Sequence, residues 1–173
     1  MKLGTYVCVA IDELRKHDIL DGKTNIQKII YFALPEENRD QFYQPYYYGP
    51  YSADVQQTIF SLLRKEGVKD ITQLQTDIES SFCRPEEDNI MKRLRLTADF
   101  FTQKNITTTG DISFLAKVHL LNNSKREEAR KNLAEYIQNQ AKFLGWKELA
   151  TATLEKIQTN ISLAKSLEEA LEC

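Results

Sequence analysis

Apolar residues recur every three or four positions from the start of the chain. Leu3, Val7, Ala10, Ile11 and Leu14 share one face and predict a first helix over Leu3 to Lys16. Asp21-Gly22 reads as a turn. Ile26, Ile29, Ile30, Phe32, Ala33 and Leu34 predict a second, strongly apolar helix from Lys23 to Leu34, which Pro35 stops. Glu36 to Asp40 reads as a charged loop and Phe42 to Tyr48 as an extended segment. Ser52 opens a third helix, with Asp54 in its first turn where the helix dipole favours an acid. Val55, Ile59, Leu62 and Leu63 are its buried stripe, and Gly67 is a natural residue to follow its end.

Between Val68 and Thr97 the period changes. Asp77 to Cys83 and Ile90 to Leu96 read as two antiparallel strands around the polar segment Arg84 to Asn89. Leu94 and Leu96 then face one side, Arg93 and Arg95 the other. A helix over residues 87–101 is the competing reading. Beyond Ala98 the pattern is helical throughout. Thr97 to Gln103 is short, and Thr108 or Thr109 caps a helix carrying Ile112, Leu115, Ala116 and Leu120. Ser124-Lys125-Arg126-Glu127 is a capping box ahead of Leu133, Tyr136, Ile137 and Leu144. The last helix, Trp146 to about Leu171, spaces Ala150, Leu154, Ile157, Ile161, Ala164 and Leu171 near 3.5, with a polar Glu168 in the seam. Such a helix packs on its own domain, or forms a homodimer seam.

One stretch obeys neither period: Gln44-Pro45-Tyr46-Tyr47-Tyr48-Gly49-Pro50-Tyr51-Ser52. Its prolines fix φ and its glycine permits positive φ, so it is no helix interior. It predicts an extended run and a sharp turn. Tyr48 and Tyr51 are expected in the core with bonded hydroxyls, and Tyr47 exposed, as interface tyrosines are. Gln27 and Lys28 lie on the polar side of the second helix, where Gln27 can bond the tyrosine loop's backbone and the Lys28 stem can stack on a ring.

Composition narrows the class. With 173 residues, 42% hydrophobic and 28% charged, the chain has the size and balance of a globular domain. No apolar run is long enough to span a membrane. Acidic and basic residues interrupt the N-terminal apolar run too early for a signal peptide, so a cytoplasmic protein is expected. Cys8, Cys83 and Cys173 stand far apart, outside any disulfide or zinc pattern. The net charge of −2 lacks the basic footprint of a nucleic-acid binder, leaving only a local patch for that role.

The helix with Gln27, Lys28 and Tyr31, followed about twenty residues on by Tyr48, Gly49, Pro50, Tyr51 and Ser52, resembles the YwgA-like family of uncharacterised prokaryotic proteins. Phe143-Leu144-Gly145-Trp146 looks like that family's late Gly-Trp. Panacea-type antitoxin and adaptor domains carry a looser version of the pattern. The resemblance covers roughly the first hundred residues. It implies a winged helix but supplies no catalytic residues. The expected fold is therefore α+β and mostly helical: a winged helix-turn-helix-like domain over residues 1–97, with a helical extension, 98–173, packed on it. A helix-turn-helix joins its helices by about 3–4 residues, whereas here a tyrosine-rich insertion separates Leu34 from Ser52.

Candidate chemistry is sparse. Gly22-Lys23-Thr24 lacks the earlier glycine of a phosphate loop, since His17 stands there. His17 and His119 have no partner at metal-ligand spacing, and no nucleophile motif occurs. Neither enzyme nor cofactor nor metal is expected. Two functions remain. As a DNA-associated regulator or antitoxin-like protein, the chain reads duplex bases with Gln56, Gln57 and Thr58, and its phosphates with Arg64, Lys65, Lys69, Lys92, Arg93 and Arg95. Asp54, Glu86, Glu87 and Asp88 oppose that. As a protein-interaction or adaptor module, it meets its partner through the tyrosine stretch and the residues around it.

Overall fold

The computed structural model describes residues 3–76, 89–123 and 132–172. In chain order these form α1 (Leu3–Lys16), α2 (Lys23–Ala33), α3 (Glu36–Phe42), β1 (Gln44–Tyr46), β2 (Gly49–Tyr51) and α4 (Ala53–Lys65). A short 3-10 turn at Ile71–Gln73 follows, then α5 (Asn89–Gln103), α6 (Thr109–Asn122), α7 (Leu133–Phe143), α8 (Lys147–Ala150) and α9 (Leu154–Glu172). The described residues are mostly helical, with one two-stranded antiparallel sheet among them, and no described helix is long and apolar enough to cross a membrane.

Local signals account for many of the boundaries. Ser52 caps α4 by accepting from Val55 N–H, and Thr108 caps α6 by accepting from Asp111 N–H. Gly67 (φ +67°) and Gly145 (φ +68°) take the left-handed conformation just past α4 and α7, where side chains with a Cβ are strained. The capping box at Ser124 and the strand expected over Asp77 to Cys83 lie outside the described residues, as do Glu86, Glu87 and Asp88.

Three expectations are corrected. Ile90 to Leu96 is helical, inside α5. A strand there would bury only Leu94 and Leu96 on one face. The helix puts Met91, Leu94, Ala98 and Phe101 into the core together, at about 1.5–3 kcal/mol for each large side chain. Glu36 to Asp40 is helix, not loop: Pro35 precedes its first turn, which carries Glu36 and Glu37 at the favourable end of the dipole. The last helix is interrupted over residues 151–153, and Thr153 then caps α9 by accepting from Lys156 N–H. Residues 97 and 98, where the sequence divides into two expected domains, are both buried inside α5.

The core forms two clusters. The first gathers α1, α2, α4, α5 and the C-terminal half of α9. The second gathers α7, α8 and the N-terminal half of α9. α6 stands between them, giving Ile112, Leu115 and Ala116 to the first and Phe114, Val118 and Leu121 to the second. A helix packed on two sides carries apolar residues all round, which is why α6 lacks an amphipathic stripe. The α9 residues Ile157, Ile161, Ala164 and Leu171 are buried against the chain's own α6, α7 and α5.

Candidate functional site

The tyrosine stretch folds as a hairpin ahead of α4. Gln44 pairs with Tyr51, Pro45 with Pro50 and Tyr46 with Gly49, so Tyr47 and Tyr48 form the two-residue loop. Two three-residue strands with prolines facing each other cannot hold themselves together. The hairpin is held from behind instead.

Gln27 makes a two-point clamp: its Nε2 donates to the Ser52 carbonyl at 2.9 Å, and its Oε1 accepts from Ser52 N–H at 3.1 Å. Lys28 donates to the Pro50 carbonyl at 2.7 Å. Tyr43 donates to the Gln27 carbonyl, and Trp146 Nε1 donates to the Tyr46 carbonyl across a hundred residues of sequence, at 2.8 Å. Each such bond contributes about 1 kcal/mol net, and leaving the buried partner unpaired costs more. Gly49 completes the seat. Its φ is +98°, and a Cβ there would lie 3.1 Å from Lys117 Cγ.

Held this way, the loop turns aromatic rings outward. Tyr46, Tyr47 and Tyr48 are 58%, 67% and 57% exposed. Tyr47 matches the sequence expectation and Tyr48 corrects it. The rings still support one another: Tyr47 and Tyr48 meet edge to face, and Tyr46 lies against half-buried Tyr51, both pairs with centroids 4.9 Å apart. Phe143 and Leu144, just before Gly145 and Trp146, are also exposed.

Two cations lie beneath the hairpin. Lys28 is 2% exposed; burial, then the like charge of Lys117, brings its ammonium down to about 7. Lys117 is lowered too, by burial, against the raising influence of Glu148. The Lys117 ammonium lies 5.7 Å from the Trp146 ring centre.

A second polar network joins the other motif residue of α2 to the C-terminal helix. Tyr31 donates to His119 Nδ1 at 2.7 Å, so Nε2 carries the proton and donates to Glu168 at 2.9 Å. Arg39 pairs with the same carboxylate at 2.8 Å and donates to the Phe32 carbonyl. Burial keeps the Tyr31 hydroxyl and the His119 ring neutral, raising the one pKa and lowering the other. Burial works to raise the Glu168 carboxyl, but hydrogen bonds from His119 and Arg39 and the Arg39 charge outweigh it and hold it at about 2. This network spans residues 31 to 168. No spacing rule finds it; the only sequence signal was a polar Glu168 in an apolar seam.

The residues named for DNA contact are scattered in role. Gln57, Arg64, Lys65, Lys69 and Lys92 are exposed, Gln56 and Thr58 half-buried, and Thr58 is bonded to its own helix at the Asp54 carbonyl. Arg95 is paired with Glu13 at 3.5 Å. Arg93 faces inward, not to solvent: it donates to the Ala33 carbonyl at 2.7 Å and to the Leu171 carbonyl at 3.0 Å, holding the ends of α2 and α9. Basic side chains prefer helix C-termini for this reason. Among the described residues, no group of three or more His, Cys, Asp or Glu side chains is placed to hold a metal. No family model, curated protein or solved structure matches the chain.

Proposed function

We propose that the chain is a non-enzymatic protein-interaction module whose contact surface is the tyrosine hairpin. One observation carries this reading. Three consecutive tyrosines stand more than half exposed on a loop whose backbone is bonded from the buried side. Aromatic side chains held in advance lose little freedom on binding, which is what makes tyrosine effective at interfaces. On this reading Gln27, Lys28, Gly49, Pro50 and Ser52, which carry the resemblance to the YwgA-like family, hold the surface in place, while Tyr47 and Tyr48 meet the partner. The scaffold keeps the three-helix order of a helix-turn-helix domain in α1, α2 and α4, with the hairpin placed ahead of α4 and not, as a wing would be, behind it. Fold alone does not choose between partners.

Purification of the intact chain from its own cells tests this, in comparison with Tyr47→Ala/Tyr48→Ala. A protein that accompanies the wild type and is lost from an equally stable variant supports the reading. A partner retained by the variant overturns it.

A second reading rests on α4. That helix exposes Gln57, Arg64 and Lys65, with Lys69 just beyond, and Lys23 lies over exposed Phe60 beside it at 4.7 Å. As a DNA-associated regulator the chain docks this face on a duplex, without Arg93. Anisotropy against mixed duplex fragments then shows binding at low salt that falls steeply toward physiological salt. No binding at low salt removes this reading.

A further inference from the structure

Beside the hairpin lies a pocket of about 390 Å³ between β1–β2, the first turns of α6 and the corner before α8. Tyr47, Tyr48 and Trp146 form its aromatic walls, and Ser113, Lys117 and Lys147 contribute polar groups. Two features mark it as more than a gap in packing. Ser113 is 4% exposed, lines the pocket, and its hydroxyl has no hydrogen-bond partner. Buried hydroxyls are almost always paired, so an orphan on a residue that lines a pocket points to something that enters it. Lys117 is also unusual: a buried lysine, only 6% exposed, with Trp146 below its ammonium, Lys28 behind it, and no hydrogen bond or ion pair among the described residues. The acid in the lining, Glu148, lies 4.0 Å from Lys156.

We propose that this pocket receives an acidic side chain of the protein partner, its carboxylate bonded by Lys117 and Ser113 and its flanking apolar residue laid along Tyr47 and Trp146. The inference rests on the interaction reading of the hairpin and gives that surface its chemistry. The aromatic tip supplies contact area, and the orphan donors beneath it supply selection. Charge complementarity decides the sign. An incoming carboxylate meets Lys117, Lys147 and the Ser113 hydroxyl against a single lining acid, Glu148, whereas an incoming cation would meet that excess of positive charge. A neutral amide could accept from Ser113 or Lys117 through its carbonyl oxygen but would leave the Lys117 charge uncompensated in a place already partly stripped of water, where a charge-assisted bond is stronger than a neutral one.

The test uses the full chain and tryptophan-free peptide pools, blocked at both ends. One pool carries a central Glu between apolar residues; the other carries Gln at that position. Trp146 is the single tryptophan and lines the pocket, so its fluorescence reports occupancy directly. The Glu pool is expected to bind roughly tenfold or more tightly than the Gln pool, with that advantage lost in Lys117→Met. Ser113→Ala removes a buried hydroxyl that bonds nothing in the free chain, so it should hold or slightly raise stability while weakening the Glu pool several-fold. Equal binding of the two pools, unmoved by either substitution, overturns the inference and leaves the hairpin reading standing. So does binding that appears only with a Gln pool bearing a free C-terminus, since the occupant is then a chain end. Failure of both pools to bind the wild type overturns it too. In that case the hairpin reading is judged separately, by whether Tyr47→Ala/Tyr48→Ala loses the cellular partner.

Discussion

An ammonium group taken out of water needs acceptors, and Lys28 finds one, the Pro50 carbonyl. Its folded-state pKa of about 7 lies below the ordinary lysine value of 10.5, so between those limits the unfolded chain holds more protons than the native one. Stability therefore rises with pH across that window. In Lys28→Met the rise should shrink by on the order of 2–4 kcal/mol, measured as urea unfolding free energies near pH 6.5 and 9.5. A variant whose stability climbs as steeply as the wild type's would show that Lys28 is not the titrating group. Gln27 acts without charge. Gln27→Ala strips partners from both Ser52 backbone groups and should cost about 3 kcal/mol in the same assay. Gly49→Ala should cost about 1–3 kcal/mol, because alanine is strained at φ +98° and its Cβ crowds Lys117. Much of this was legible in the sequence. Two prolines and a glycine among tyrosines excluded a helix, and Gln27 was expected to reach the loop backbone. The inward path of Lys28 and Lys117 was not legible, because helix periodicity places a lysine on a face but does not say what covers that face.

At the scale of elements, period and caps located α1, α2, α4 and α6 closely, since each buries a stripe or begins at a defined capping residue. α5 misled because Arg93 and Arg95 alternate with Leu94 and Leu96 over a short span, which imitates a strand. The inward turn of Arg93 resolves it, as a guanidinium is a good donor to the carbonyls where α2 and α9 end. α9 is fixed by another polar anchor. Glu168 receives Arg39 and His119, and Arg39 is only 3% exposed. Glu168→Ala leaves that arginine buried without a counter-charge and should destabilise the protein by about 3 kcal/mol or more. The carboxyl's folded pKa of about 2 lies below the ordinary 4.5, so its contribution is present above the ordinary value and lost as pH falls toward 2. Acid unfolding should consequently be less steep through that window in the variant. His119 adds to the acid sensitivity at milder pH: burial resists its protonation, so stability is lost as pH falls below the ordinary imidazole range.

For the whole molecule, α6 ties the surface to the interior. Its outer turns present Ser113 and Lys117 to the pocket under the hairpin, and His119 on the same helix joins Tyr31 to Glu168. Tyr31, Gln27 and Lys28 all belong to α2, so one short motif serves both the hairpin and the C-terminal helix. That dual use could not be read from the chain alone, where the partners of these three side chains lie 22 to 88 residues away. The measurement that separates the two proposed faces most directly places a photo-crosslinking amino acid at position 47 in one variant and at position 57 in another, in living cells. A discrete protein adduct from position 47, and none from position 57, is the expected result. Adducts to nucleic acid from position 57, with none from position 47, would contradict it and move the function to α4.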